Sequence, residues 1–276
     1  MPLILAGGGL GPGYQGRLLE EAVASADKVY VETYTVPGSS WLLDWARSVA
    51  GDRVVEAERR VLEENAPRLV EEARTRRVLV LAPGDPLIAT THRSLLAMAR
   101  KEGVVVQVIP GVSGVCASKT LSLLDYYKYG RTVTVPGPWR RVKPYSVVYY
   151  ILVNACSMLH TLVLLDFQED KVLTPSEAAS TLIDIAREVD AGFLADTLVI
   201  VLERAGLEGE KAALHSSLEG LAHSQERFGL PASLAIPGPL SRIERELLAD
   251  YYGRDPGPGI DRGEACRAAK RLEAEL

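Results

Sequence analysis

The sequence predicts an α/β fold in two domains, and three observations carry that prediction. Short apolar runs alternate with helical patterns along the N-terminal part of the chain. Three of these runs end directly in turns rich in glycine and proline. The 276 residues are enough for two ordinary domains, each with its own core.

Taken in order, Leu3–Ala6 is a short apolar run that reads as a strand. Beyond a glycine cluster, Arg17–Ala26 sets Leu18, Leu19, Ala22, Val23 and Ala26 on one helical face. Val29–Val31 is a second strand, and Val54-Val55 a short third. Asn65–Arg74 has Leu69, Val70 and Ala73 at helical spacing. Val78–Leu81 is a continuous apolar run, as in a strand buried on both faces. His92–Lys101 is helical with Leu95, Leu96 and Ala99 inward, and Val104–Ile109 closes the series as a strand. This rhythm implies βαβ units and a mostly parallel sheet.

Ser113–Leu124 reads as a linking helix, after which a second series begins. Thr132–Val135 is a strand, Tyr145–Ser157 a helix and His160–Phe167 a strand. Thr174-Pro175-Ser176-Glu177 is a capping box with proline at the first helical position, so a helix starts there. Thr197–Leu202 and Ala232–Ile236 are strands, and Ser241–Tyr251 is an amphipathic helix. The expected organisation is an N-terminal domain over 1–112, a C-terminal domain with a mixed sheet over 113–253, and a peripheral tail over 254–276. The tail opens on Pro256-Gly257-Pro258-Gly259 and ends in a charged stretch that reads as a loose helix.

Composition narrows the function. The net charge of -5 lacks the basic footprint of a nucleic-acid binder, and the Arg140, Arg141, Lys143 patch is too small to supply one. The apolar stretch 145–165 contains Asn154, Ser157 and His160 and changes period partway, which argues against a membrane span. The start of the chain turns glycine-rich too early for a signal peptide. Cys116, Cys156 and Cys266 form no CxxC and are odd in number, so no disulfide framework and no metal site is read from them. Cys116 and Cys156 are expected as small core residues in a chain of the reducing cytoplasm.

The three turns are Gly7-Gly8-Gly9-Leu10-Gly11-Pro12-Gly13, Pro83-Gly84-Asp85-Pro86 and Pro110-Gly111-Val112-Ser113-Gly114. Ligands of open α/β sheets bind beyond the carboxyl ends of strands, where these turns lie. Gly11–Gly16 also matches GxGxxG, with Glu32 about 20 residues on, as in a dinucleotide-binding unit. Against that, Gly7–Leu10 separates the motif from its strand, and Pro12 removes an amide donor.

In order and spacing the three turns resemble the N-domain signatures of the tetrapyrrole (class III) methyltransferases. Narrower strings resemble the branch of that family that makes diphthine. These are Gly84–His92, Tyr127–Gly130, His160–Asp166, Glu203-Arg204-Ala205-Gly206 and Ile236-Pro237-Gly238. Three departures are the triple glycine at Gly7–Gly9, Met158, where glycine is usual in that family, and the tail beyond Arg254, which has no counterpart in the resemblance.

The resemblance implies two α/β domains with an active-site cleft between them and S-adenosylmethionine as cofactor. Its implied cofactor contacts are Leu10, Asp85, Ile88, Ser113, Gly114, Leu165, Ala205 and Ala232. Asp166, at a strand end, is added to that set. Leu165, Ala205 and Ala232 suit an adenine wall, Gly114 lets backbone approach a ligand, and Asp85 suits the cofactor's hydroxyl, amino or sulfonium groups. The implied reaction is repeated methylation of the amino group of a modified histidine on translation elongation factor 2, by a cytoplasmic homodimer. In-line methyl transfer to a neutral amine needs positioning and exclusion of water more than a base. No catalytic residue is therefore assigned, His92 and His160 included. The alternatives are methylation of a corrinoid or porphyrin precursor, which would want arginines that the turns lack, an NAD-dependent oxidoreductase and a non-catalytic binding module.

Overall fold

Strand β1 (Pro2–Gly7) forms because its apolar residues are continuous, and Leu3, Ile4, Leu5 and Ala6 are fully buried. In chain order there follow α1 (Arg17–Ser25), β2 (Lys28–Glu32), α2 (Ser40–Ala50), β3 (Val54–Ala57), α3 (Arg59–Leu62), α4 (Ala66–Glu72), β4 (Val78–Ala82), α5 (Arg93–Lys101), β5 (Val105–Ile109) and α6 (Gly114–Leu121). The structure is a computed structural model and describes residues 2–36, 38–168 and 171–274. The chain divides into two compact units, Met1–Cys116 and Ala117–Leu276, so the division lies within α6.

The first unit is a sheet ordered β3-β2-β4-β1-β5, parallel throughout. Side chains alternate across β1. Leu3 and Leu5 join a core with Leu62, Leu69 and Leu95, while Ile4 and Ala6 join Leu19, Val23 and Leu42 on the other face. Helix α2 was not anticipated, although Leu42, Leu43, Ala46 and Ala50 are buried at helical spacing. Leu18, expected on the apolar face of α1, is 61% exposed, so that face narrows to Leu19, Ala22 and Val23. Because β4, β1 and β5 are neighbours, the turns that follow them lie side by side at one sheet edge.

The second unit contains β6 (Val133–Val135), α7 (Tyr145–Cys156), β7 (Thr161–Leu165), β8 (Phe167–Gln168), β9 (Lys171–Val172), α8 (Pro175–Glu188), β10 (Val199–Glu203), β11 (Lys211–His215), α9 (Leu218–Ala222), β12 (Ala232–Ile236), α10 (Arg242–Tyr252) and α11 (Arg262–Glu273). Its sheet runs β11-β10-β12-β7-β6 and is mixed, with only β6 and β7 parallel. The capping box that opens α8 is formed, Thr174 Oγ1 accepting from the Glu177 amide and Glu177 from the Thr174 amide. Among the described residues no helix is long and apolar enough to cross a membrane.

The C-terminal stretch is not peripheral. Helix α11 lays Ala265, Ala268, Ala269 and Leu272 into the core of the second unit, beside Val148, Ile151 and Leu152 of α7. Its approach is equally tight. A Cβ on Gly259 would meet the Gly238 carbonyl oxygen at 2.0 Å, so the two backbones touch there. Residues 275 and 276 of the expected tail lie outside the described residues. The cysteine reading is corrected too: Cys156 of α7 and Cys266 of α11 form a disulfide. It was hidden because the partners are 110 residues apart. Cys156 is therefore a cross-link rather than a simple core residue, and cysteine usage no longer argues for a reducing compartment.

Candidate active site

The three turns of the first unit interlock through glycines. A Cβ on Gly7 would meet the Gly84 carbonyl oxygen at 2.4 Å and the Gly111 amide nitrogen at 2.6 Å. A Cβ on Gly111 would meet the same carbonyl at 2.1 Å. No real Cβ tolerates such distances, so Gly7 and Gly111 require backbone against backbone, while Gly84 takes a positive φ of 71°. The turns after β1 and β4 also exchange hydrogen bonds, the Gly84 amide donating to Gly9 at 2.8 Å and the Gly9 amide to Gly84 at 3.2 Å. The extra glycines at the start of the chain thus have a steric cause: Gly8 lies against the Leu42 side chain and Gly9 takes a positive φ of 75°.

Asp85 binds this assembly from within. Its Oδ1 accepts from the Leu87 amide at 2.9 Å and its Oδ2 from the Gly111 amide at 3.2 Å, joining the turns after β4 and β5. Gly114, at the start of α6, packs under Leu10, with 3.7 Å between a Cβ built there and Leu10 Cδ2. Ser113 is buried, and its hydroxyl accepts from the Val115 amide at 3.2 Å. Leu10, Asp85, Ser113 and Gly114 are therefore gathered at one sheet edge, and Ile88 stands on the same turn as Asp85, 41% exposed. Apolar walls, glycine backbone and one part-exposed carboxylate suit an adenosyl cofactor bearing an amino group and a sulfonium. On this test the residues fit.

In the second unit, β7 and β10 both pair antiparallel with β12. Leu165 at the end of β7, Ala205 just past β10 and Ala232 at the start of β12 consequently share one end of that sheet. The loop at Ala205 is tight, with the Arg204 amide donating to Pro231 at 2.8 Å. Asp166 is committed to its neighbours: Arg140 donates to Oδ2 through Nε at 2.8 Å and to Oδ1 through a second nitrogen at 3.0 Å, and the Gly137 amide adds a bond at 3.0 Å. Burial would raise its carboxyl pKa, but these bonds hold it below the usual value. The Arg140 partnership gave no signal in the sequence, where Arg140 stands only in a small basic patch.

Both candidate histidines are buried against carboxylates. His160 is fully buried, its Nε2 lies 2.7 Å from Glu244 Oε1, and its Nδ1 accepts from the Gly238 amide at 3.1 Å. His92 Nε2 lies 3.0 Å from Glu32 Oε2. Glu32 is thus engaged inside the first unit and 1% exposed, where a ribose-binding acid would be available to ligand. Gly16, which should pack a helix closely onto its strand in a dinucleotide motif, has no atom within 4 Å of its built Cβ. The geometry therefore disfavours the dinucleotide reading.

The model of the tetrapyrrole (corrin/porphyrin) methylases matches residues 3–222. A diphthine synthase of Aeropyrum pernix is 46% identical over 259 residues, 91% of this chain and 88% of that protein. The crystal structure of a conserved hypothetical protein of Aeropyrum pernix superposes with a TM-score of 0.89 at 41% identity, covering 99% of this chain and 97% of the other. A diphthine synthase crystal structure gives 0.78 at 32% identity, covering 91% and 96%. With sequence and fold in agreement over nearly its whole length, the chain belongs to the tetrapyrrole (corrin/porphyrin) methylase family, in its diphthine synthase branch.

Proposed function

We propose that this chain is an S-adenosylmethionine-dependent methyltransferase that methylates the amino group of the modified histidine of translation elongation factor 2, making diphthine. The observation that carries the reading is the glycine-locked assembly of three turns with Asp85 at its centre, in a chain 46% identical to a diphthine synthase. When bound, the cofactor supplies a methyl group already activated on a sulfonium. The protein's own part is then to hold and orient. Leu10 and Gly114 form an apolar wall, Asp85 offers negative charge, and Ile88 and Ser113 complete the contacts from the first unit. Leu165, Ala205 and Ala232 are the contacts from the second unit, with Asp166 beside them fixing the loop at Gly137 and Arg140. Neither His92 nor His160 acts as a general base in this scheme, since each is held by a buried carboxylate.

The same reading makes the elongation factor its protein partner, and expects a cytoplasmic homodimer whose mass solution scattering would measure. The first test is calorimetric titration with S-adenosylhomocysteine and, as control, NAD. The expected result is a Kd on the order of micromolar for the first alone. Binding of NAD alone, or of neither, would overturn the reading. Methyl transfer from labelled S-adenosylmethionine to the elongation factor carrying the unmethylated histidine derivative then tests the acceptor. Labelling of a corrinoid precursor instead would redirect the proposal to the other branch of the family.

A further inference from the structure

His92 closes the turn that carries Asp85, and its two ring nitrogens face two oxygens. Nδ1 lies 3.2 Å from the Pro86 carbonyl oxygen and Nε2 lies 3.0 Å from Glu32 Oε2, with the His92 and Glu32 side chains each 1% exposed. A carbonyl oxygen only accepts, and so does an ionised carboxylate. A neutral imidazole has one hydrogen and would leave its other nitrogen bare against a lone pair. The Nε2 contact is close but not aligned as a hydrogen bond. A charged pair tolerates such misalignment better than a neutral one.

The surroundings agree with a cation at this point. Glu32 Oε1 already accepts from the Thr35 hydroxyl, leaving Oε2 for His92. The other ionisable groups nearby are Tyr34, which senses Glu32, Glu63 and Arg59, and the Arg59–Glu63 pair itself, at 3.5 Å. Glu63 accepts from the Thr91 hydroxyl at 3.0 Å and Arg59 stacks over the Tyr34 ring at 5.0 Å, so neither is the partner of the imidazole.

We propose that His92, doubly protonated between Glu32 and the Pro86 carbonyl, is a positioning residue that fixes the turn presenting Asp85 to the cofactor. The last step rests on the cofactor reading given above. The path is short: His92 holds the Pro86 carbonyl, and Asp85, directly before it, takes the Leu87 and Gly111 amides. The charge of Glu32, on β2, thereby sets the orientation of a carboxylate on the turn after β4.

The chain has four histidines, so nitrogen-15 spectra of labelled protein, assigned with His92→Asn, resolve this ring. Two protonated ring nitrogens are expected, and one bare nitrogen would overturn the proposal. His92→Ala is expected to raise the Kd for S-adenosylhomocysteine about tenfold and to speed hydrogen exchange at the Leu87 and Gly111 amides. His92→Asn keeps a donor where Nδ1–H stood and is expected to return the Kd to within about threefold of the parent. Equal impairment of the two variants would mean general packing alone and would overturn the proposal, as would an unchanged His92→Ala. Should His92→Ala not fold, Glu32→Gln is expected to loosen the same two amides. Failure of the parent protein to bind S-adenosylhomocysteine would sink the cofactor reading, while amide exchange would still decide the role of His92.

Discussion

Cys156 and Cys266 join two helices that pack side by side, their Cα atoms 4.7 Å apart across 110 residues of sequence. The cross-link therefore closes most of the second unit into one covalent loop. Limiting the unfolded chain in this way is worth about 4–5 kcal/mol for a loop of this size in the chain-entropy model. Reduction, or Cys266→Ser, is expected to lower the melting temperature by roughly 10 °C. Differential scanning calorimetry with and without reductant measures this, and coincident transitions would refute it. Because α11 is also held by the burial of Ala265, Ala268, Ala269 and Leu272, it is expected to stay docked in the reduced protein at moderate temperature.

Asp85 ties the turns after β4 and β5, and among Leu10, Asp85, Ile88, Ser113 and Gly114 it alone carries a charge. Asp85→Ala removes the acceptor for two amides and the negative charge together. The Kd for S-adenosylhomocysteine is expected to rise at least about tenfold, the loss of roughly one charge-assisted hydrogen bond. Asp85→Asn keeps an acceptor oxygen and is expected to fall between the two. An unchanged calorimetric Kd in Asp85→Ala would remove this residue from the site.

The three-turn assembly was legible because backbone chemistry leaves a strong local signature. The strands β1 and β4 are unbroken apolar runs, and each is cut short by Gly or Pro where the chain must turn. The capping box at Thr174 is local in the same way, and it forms as read. Partnerships between distant residues leave no such trace. Nothing near Glu32 announces His92, nothing near Asp166 announces Arg140, and the disulfide joins two cysteines with no shared motif. The α11 periodicity was present at Ala265, Ala268, Ala269 and Leu272, but alanines among so many charges make a faint apolar stripe.

Glu244 is the hub of a buried network in the second unit. It receives His160 Nε2 at 2.7 Å, the Asp125 amide at 3.1 Å, the Ser241 amide at 2.8 Å and the Lys128 ammonium. Burial alone would raise its pKa, yet the bonds from His160, Lys128 and Ser241 outweigh it and hold the carboxyl far below the usual range. A depressed folded pKa stabilises the protein above the unfolded value of 4.5, and that stability is lost as pH falls towards the folded one. Urea midpoints measured through the acid range are therefore expected to drop below about pH 4.5 in the parent. Glu244→Gln should lower stability by about 3 kcal/mol near neutrality, since it leaves buried donors poorly paired, and should flatten the acid slope. Parallel acid slopes in parent and variant would contradict this.

Met158 follows α7 at the position where many helices end in glycine. Its φ is +65°, in the left-handed region, and it is 43% exposed. The turn is completed by two backbone bonds, Met158 to Ala155 at 3.0 Å and Leu159 to Asn154 at 2.8 Å. A side chain in that conformation costs roughly 1–2 kcal/mol. Glycine would remove this strain but add about 0.5–1 kcal/mol of unfolded-chain entropy. With little packing to lose, Met158→Gly is expected to stabilise the protein by about 0.5–1 kcal/mol. The gain should appear as a higher urea midpoint at unchanged slope. A lower midpoint would mean that the methionine side chain contributes more packing than its exposure indicates.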